Sequence, residues 1–100
     1  MLSDNNMPVF RSSVTRGGSL INPDMVEINN RFVVFKKRKK YLIGYDTILI
    51  PMAKISSVEL DVHAIGVAIT ITSFGAGRIF AEHFSLDDAK EIKRLIENRI

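Results

Sequence analysis

The segment GVAITITSFGAGRIFAEHFSLDDAKEIKRLIENRI (66–100) changes its period partway along, and that change decides the fold. GVAITITSF (66–74) is rich in β-branched residues, and RIFAEHF (78–84) returns from the turn chemistry of Gly75 and Gly77. Together they predict two strands of a hairpin. At Ser85 the period becomes helical. Ser85 suits an N-cap, and Asp87 and Asp88 place carboxylates in the first turn, where they complement the helix dipole. Leu86, Ala89, Ile92, Ile96 and Ile100 then fall on one stripe, with Lys90, Glu91, Arg94, Glu97 and Asn98 on the other side. Lys93, Arg94 and Arg99 lie toward the C-terminal end, again matched to the dipole. Such a helix has to cover something apolar.

Upstream, the chain reads as a series of short strands. VFRSSVT (9–15) is a first strand before the break at Gly17-Gly18, and INPD (21–24) is turn chemistry. MVEI (25–28) and RFVVFKKR (31–38) flank Asn29-Asn30, a pair suited to a tight turn with positive φ. TILI (47–50) is apolar enough for a strand covered on both faces, and Pro51 ends it. KISSVELDV (54–62) starts its apolar positions at Ile55 and places Val58, Leu60 and Val62 on one face. The expectation is a mainly β protein: a sandwich or barrel of about seven antiparallel strands, one mouth of which is closed by the C-terminal helix. Ile92 and Ile96 are expected to form the plug, against Val58, Leu60, Ile69 and Ile71. Residues 1–7 are expected to be a flexible N-terminus and 8–100 a single domain.

Three stretches carry a family likeness: INNRFVVFKKRKK (28–40), ILIPMAKISSVEL (48–60) and GVAITITSFGAGRIFAEHFSLDDAKEIKRLIE (66–97). Over about residues 24–98 the chain resembles the bacterial pleckstrin-homology (PH)-like domains. The middle segment carries most of it, with Ile50-Pro51, then a basic residue at Lys54, then Ile55 and Val58. The resemblance implies a PH-like sandwich capped by one helix and a non-catalytic role in binding or assembly. PH-like folds host lipid, peptide and self-association functions, so the likeness bears on fold more than on activity.

Composition narrows the chemistry. The chain of 100 residues carries a net charge of +3, while Lys36, Lys37, Arg38, Lys39 and Lys40 alone contribute five positive charges, so the remainder is net negative. A basic face spread over the domain, the usual footprint of a nucleic-acid binder, is not indicated. With no cysteine there is no disulfide framework, thiolate metal site or cysteine nucleophile, which fits a cytoplasmic protein. No apolar run reaches the ~18 residues of a spanning helix.

The run Lys36–Lys40 leaves a strand, so its side chains alternate between faces. It is a candidate for anionic lipid, each cation near an acidic leaflet contributing ~1 kcal/mol. The competing reading is a solvated, edge-protecting stretch. Tyr41, Leu42, Ile43 and Tyr45 are candidates for contact with a protein partner, a second copy of the chain included. Glu59, Asp61 and His63 recur on one strand face about 6.6 Å apart, too far to converge on one metal without a bulge, and only the fold can bring His83 to His63. Ser56 and Ser57 lack a nucleophile elbow, and GAG (75–77) lacks the spacing of a phosphate loop. No catalytic residue, metal or cofactor is therefore assigned. The expected function is a non-catalytic module engaging protein partners; the alternative is peripheral binding to an anionic membrane surface.

Overall fold

A computed structural model describes residues 8–13, 23–39 and 44–100. Seven strands and one α-helix occur among the described residues. Strands β1 (Val9–Arg11), β2 (Met25–Ile28), β3 (Phe32–Arg38) and β4 (Tyr45–Pro51) form one antiparallel sheet in that order. A single 3₁₀ turn, Met52–Lys54, leads to the second sheet, β5 (Ile55–Val62), β6 (Val67–Ser73) and β7 (Arg78–Phe84), also antiparallel and in sequence order. Helix α1 (Leu86–Glu97) follows. This is a β sandwich capped by a C-terminal helix, consistent with the PH-like plan.

Strand alternation builds the interior. On the first sheet Val26 pairs with Phe35 and Ile28 with Val33, and Val33 also pairs with Ile50. All five are buried, with Phe10 and Ile48 partly buried beside them. On the second sheet Val58 pairs with Ile71 and Leu60 with Ile69, while Ile79 and Ala81 cover Ile71 and Ile69 from the other side. Ile69, Ile71, Ile79 and Ala81 have no exposure.

Two bulges keep apolar residues inward where strict alternation would turn them out. In β5 the register shifts between Ile55 and Ser57, so that Ile55 and Val58, three apart, are both buried. Between β6 and β7 the register shifts so that Glu82 and His83 stand opposite Ala68 alone, and Ala81 and Phe84 both point inward. His83 holds φ 71°, the only positive φ of a residue other than glycine among the described residues.

The helix behaves as its period demands. Ser85 Oγ accepts the Asp88 amide at 3.1 Å, with Asp87 and Asp88 in the first turn. Ala89, Ile92 and Ile96 have no exposure and join the core, with Leu95 packed at its side. The helix packs on β5, β6 and β2. Lys93 Nζ donates to the Val58 carbonyl of β5 at 2.9 Å and to Glu97 at 2.6 Å. Leu86 and Ile100, expected on the buried stripe, are both exposed, because Leu86 opens the helix and Ile100 lies beyond its end.

Two further expectations are corrected. The Asn29-Asn30 turn has no positive φ; Asn29 Oδ1 instead accepts the amides of Arg31 and Phe32, at 2.7 and 2.8 Å, and closes the turn from its side chain. TILI (47–50) is not covered on both faces: among the described residues β4 lies at the edge of its sheet, with Ile50 buried, Ile48 half-buried and Leu49 49% exposed. Val62 shares the face of Val58 and Leu60 but runs past the core and is 63% exposed. The N-terminal residues 1–7, Val14 and Thr15 of the expected first strand, and Gly17-Gly18 lie outside the described residues.

Candidate functional site

The basic run begins where β3 outlives its core. Val33 and Phe35 are buried, and continuing their face brings Lys37, which is exposed, opposite Asp46. Lys36 and Arg38 take the other face, as alternation requires. Carboxylates accompany these cations closely. Lys36 Nζ lies 2.9 Å from Glu27 Oε2 on β2, a diagonal cross-strand pair. Lys39 Nζ lies 4.0 Å from Asp46 Oδ1 on β4. Beyond the end of β2, Asp24 Oδ1 accepts the Arg38 amide at 2.8 Å, so a side chain continues the ladder where the strand stops. The Asp24 amide in turn donates to the buried Ser12 Oγ at 3.0 Å, tying β1 to this corner. Four described cations, Lys36, Lys37, Arg38 and Lys39, thus stand among three carboxylates. Lys40, Tyr41, Leu42 and Ile43 lie outside the described residues. Tyr45, the remaining candidate for partner contact, is half-buried at the start of β4, opposite Arg38.

A second region emerges at the other sheet. The turn joining β5 and β6, residues 63–66, is closed by the His63 amide donating to the Gly66 carbonyl at 2.9 Å. Ile65 at its tip is 67% exposed, beside the exposed Val62. Between this tip and the β7 bulge lies an open groove of about 460 Å³. Ala64, Ile65, Val67 and Ala68 supply apolar wall, and His63, Glu82 and His83 supply polar wall. The fold therefore brings His63 and His83, twenty positions apart in sequence, to one groove. His63 Nε2 is 3.2 Å from Asp61 Oδ2 on the solvent side. The positive φ of His83 turns its carbonyl toward β1, where it accepts the Ser13 amide at 2.8 Å.

Ser56 Oγ donates to the Thr72 carbonyl at 3.1 Å and is occupied within the sheet. Gly75 and Gly77 both have positive φ and serve the β6–β7 hairpin; Ser73 Oγ is hydrogen-bonded to the Gly77 carbonyl and accepts the Ala76 amide. No group of three His, Cys, Asp or Glu residues placed to hold a metal ion occurs among the described residues. No described helix is long and apolar enough to cross a membrane.

Sequence reasoning passed over the groove and the hairpin tip. One signal for the tip was present: Ile65 is a large apolar residue in a turn, where burial is least available. A second was the spacing of Ala81 and Phe84, which breaks the alternation of β7 and marks the bulge. No family model, curated protein or solved structure compared with this chain matches it.

Proposed function

We propose that this chain is a non-catalytic, PH-like binding module that engages a protein partner. The observation that carries the reading is the exposed apolar pair Val62 and Ile65 beside an apolar-walled groove. Burying a Val or Ile side chain contributes about 1.5–3 kcal/mol, so covering these two supplies roughly 2–4 kcal/mol after allowing for what is already buried. The basic run supports the alternative less, because two of its five cations, Lys36 and Lys39, lie beside carboxylates; at ~1 kcal/mol per cation near an acidic leaflet, that pairing removes about 2 kcal/mol of what the run could supply.

Two arms test the proposal on the full chain. In the first, proteins retained from cell extract by the immobilised chain are compared between the wild type and Val62→Ser/Ile65→Ser; a specific partner lost in the double variant is expected. In the second, the chain is sedimented with acidic liposomes at low and high salt, and none is expected to follow the vesicles. Salt-sensitive sedimentation that disappears when Lys36–Lys40 are replaced by glutamine would overturn the protein-binding reading in favour of an anionic membrane surface.

A further inference from the structure

Among the described residues the two open sheets have four edge strands, and the chain protects three of them. β1 is only three residues long. β5 lies beside α1, whose Lys93 already donates to the Val58 carbonyl. β7 carries Arg78 and Glu82, is bulged at Glu82–His83, and receives the Ser13 amide at the His83 carbonyl. Short strands, covering elements, bulges and charges are the devices that prevent strands from adding to an edge. β4 has seven residues, is regular, and pairs with β3 alone among the described residues. Its charge and its proline, Asp46 and Pro51, lie toward the two ends, and between them the exposed Leu49 is apolar.

The direction of the β4 backbone groups follows from its two ends. The Lys39 amide donates to the Gly44 carbonyl at 3.1 Å, and the Met52 amide to the Arg31 carbonyl at 2.6 Å. Hydrogen-bonded and non-hydrogen-bonded pairs alternate along an antiparallel ladder. Asp46, Ile48 and Ile50 therefore exchange bonds with β3, and Thr47 and Leu49 direct their amides and carbonyls outward. Pro51 shares that outward phase and has no amide hydrogen to offer, which sets the end of any added ladder.

We infer that β4 pairs antiparallel with β4 of a second copy of this chain, about a two-fold axis at Ile48. In that register Thr47 of each copy faces Leu49 of the other, and four hydrogen bonds form from these residues alone. Ile48, half-buried at the rim of the core, meets its own copy in the closer, non-hydrogen-bonded pair. Leu49, which adjoins Val34 on one side, gains a neighbour on the other. Pro51 falls opposite Tyr45 of the second copy, at the end of the added ladder. The two sheets then continue as one. Two-fold pairing is the commonest closed arrangement for identical chains, and the strand is complementary to itself. This inference rests on the protein-binding reading and names one partner for it.

Sedimentation of the full chain up to about 1 mM measures the dimer, since weak association lies in that range. Thr47→Pro removes an outward amide without touching the β3 ladder, and Leu49→Lys charges the open edge. Each is expected to weaken the dimer at least about tenfold, with thermal melts reporting that the monomer still folds. Because the chain has no cysteine, single cysteines fix the register: Ile48→Cys is expected to form an intermolecular disulfide on oxidation, and Thr47→Cys to form much less. A chain monomeric throughout the range would overturn self-pairing while leaving the Val62/Ile65 reading to its own assay. A dimer indifferent to both edge variants, or one cross-linked best through Thr47→Cys, overturns the edge or the axis respectively.

Discussion

Replacing Ile92 by alanine tests the claim on which the architecture depends, that α1 is the lid of the sandwich core. Ile92 has no exposure and sits in the same buried cluster as Ile69, Ile71 and Val58. The substitution removes three carbon groups at ~0.8 kcal/mol each, about 2.4 kcal/mol of transfer energy. The cavity left under a helix held by Ala89 and Ile96 on either side adds to that, bringing the expected loss to about 3–4 kcal/mol, within the range for buried Ile→Ala changes. For a domain of this size the melting temperature should fall by roughly 12–30 °C. Ile100→Ala is the matched control. Ile100 belongs to the same helical stripe but lies past the end of the helix and is 53% exposed, so its loss should cost under about 0.5 kcal/mol. Urea unfolding followed by far-ultraviolet circular dichroism reads both variants, a shifted midpoint at unchanged slope showing a change in stability alone. Equal costs for the two, or an Ile92→Ala cost below about 1 kcal/mol, would refute the lid.

Ser85→Ala should cost about 1 kcal/mol in the same unfolding assay by orphaning the Asp88 amide. His83→Val should destabilise by about 1–2 kcal/mol, since a β-branched residue resists positive φ, while His83→Asn should be tolerated better in thermal melts. The Arg94 guanidinium, hydrogen-bonded to Glu91 at 2.8 and 2.6 Å, holds the Glu91 carboxyl below its ordinary pKa. A depressed carboxylate stabilises the folded state above its unfolded pKa and loses that contribution as pH falls through the folded value. The Glu91 carboxyl resonance should therefore titrate below the usual range and move up in Arg94→Ala. Glu27→Gln/Asp46→Asn frees two cations and should raise affinity for acidic vesicles by roughly thirtyfold at ~1 kcal/mol per charge; unchanged sedimentation would show that the carboxylates are not what restrains the basic run.

Local rules carried the reading furthest where local chemistry decides conformation. Ser85, the two aspartates and the spacing of Ala89, Ile92 and Ile96 specify a helix start and a buried stripe without help from the rest of the chain. Failures occurred where neighbours decide. Nothing in TILI states that, among the described residues, β4 pairs on one side only, so its apolar run read as doubly covered although Leu49 is exposed. The Asn29-Asn30 pair could close a turn by backbone or side chain, and the side chain of Asn29 won. The basic run showed its charge in the sequence and hid its compensation, because Glu27 and Asp46 reach it across strands. The meeting of His63 and His83 at one groove depends on the β7 bulge and on the hairpin two strands earlier, a relation no spacing rule expresses.

A strained residue beside a groove invites a catalytic explanation, and at His83 packing supplies a sufficient one. Left-handed backbone in a residue other than glycine costs about 1–2 kcal/mol. The bulge it completes turns Phe84 inward to zero exposure, and burying a phenylalanine contributes about 1.5–3 kcal/mol. The same turn aims the His83 carbonyl at the Ser13 amide, adding a hydrogen bond that ties β7 to the segment just after β1. The strain is thus offset where it arises. The bulge in β5 follows the same logic, bringing Ile55 and Val58 to one side while Ser56 satisfies its hydroxyl on the Thr72 carbonyl. Both irregularities in the second sheet serve its core, and the groove beside the β7 bulge inherits its shape from that packing. Its open wall, with Ile65 and Val62 at the rim, is suited to receive an apolar surface.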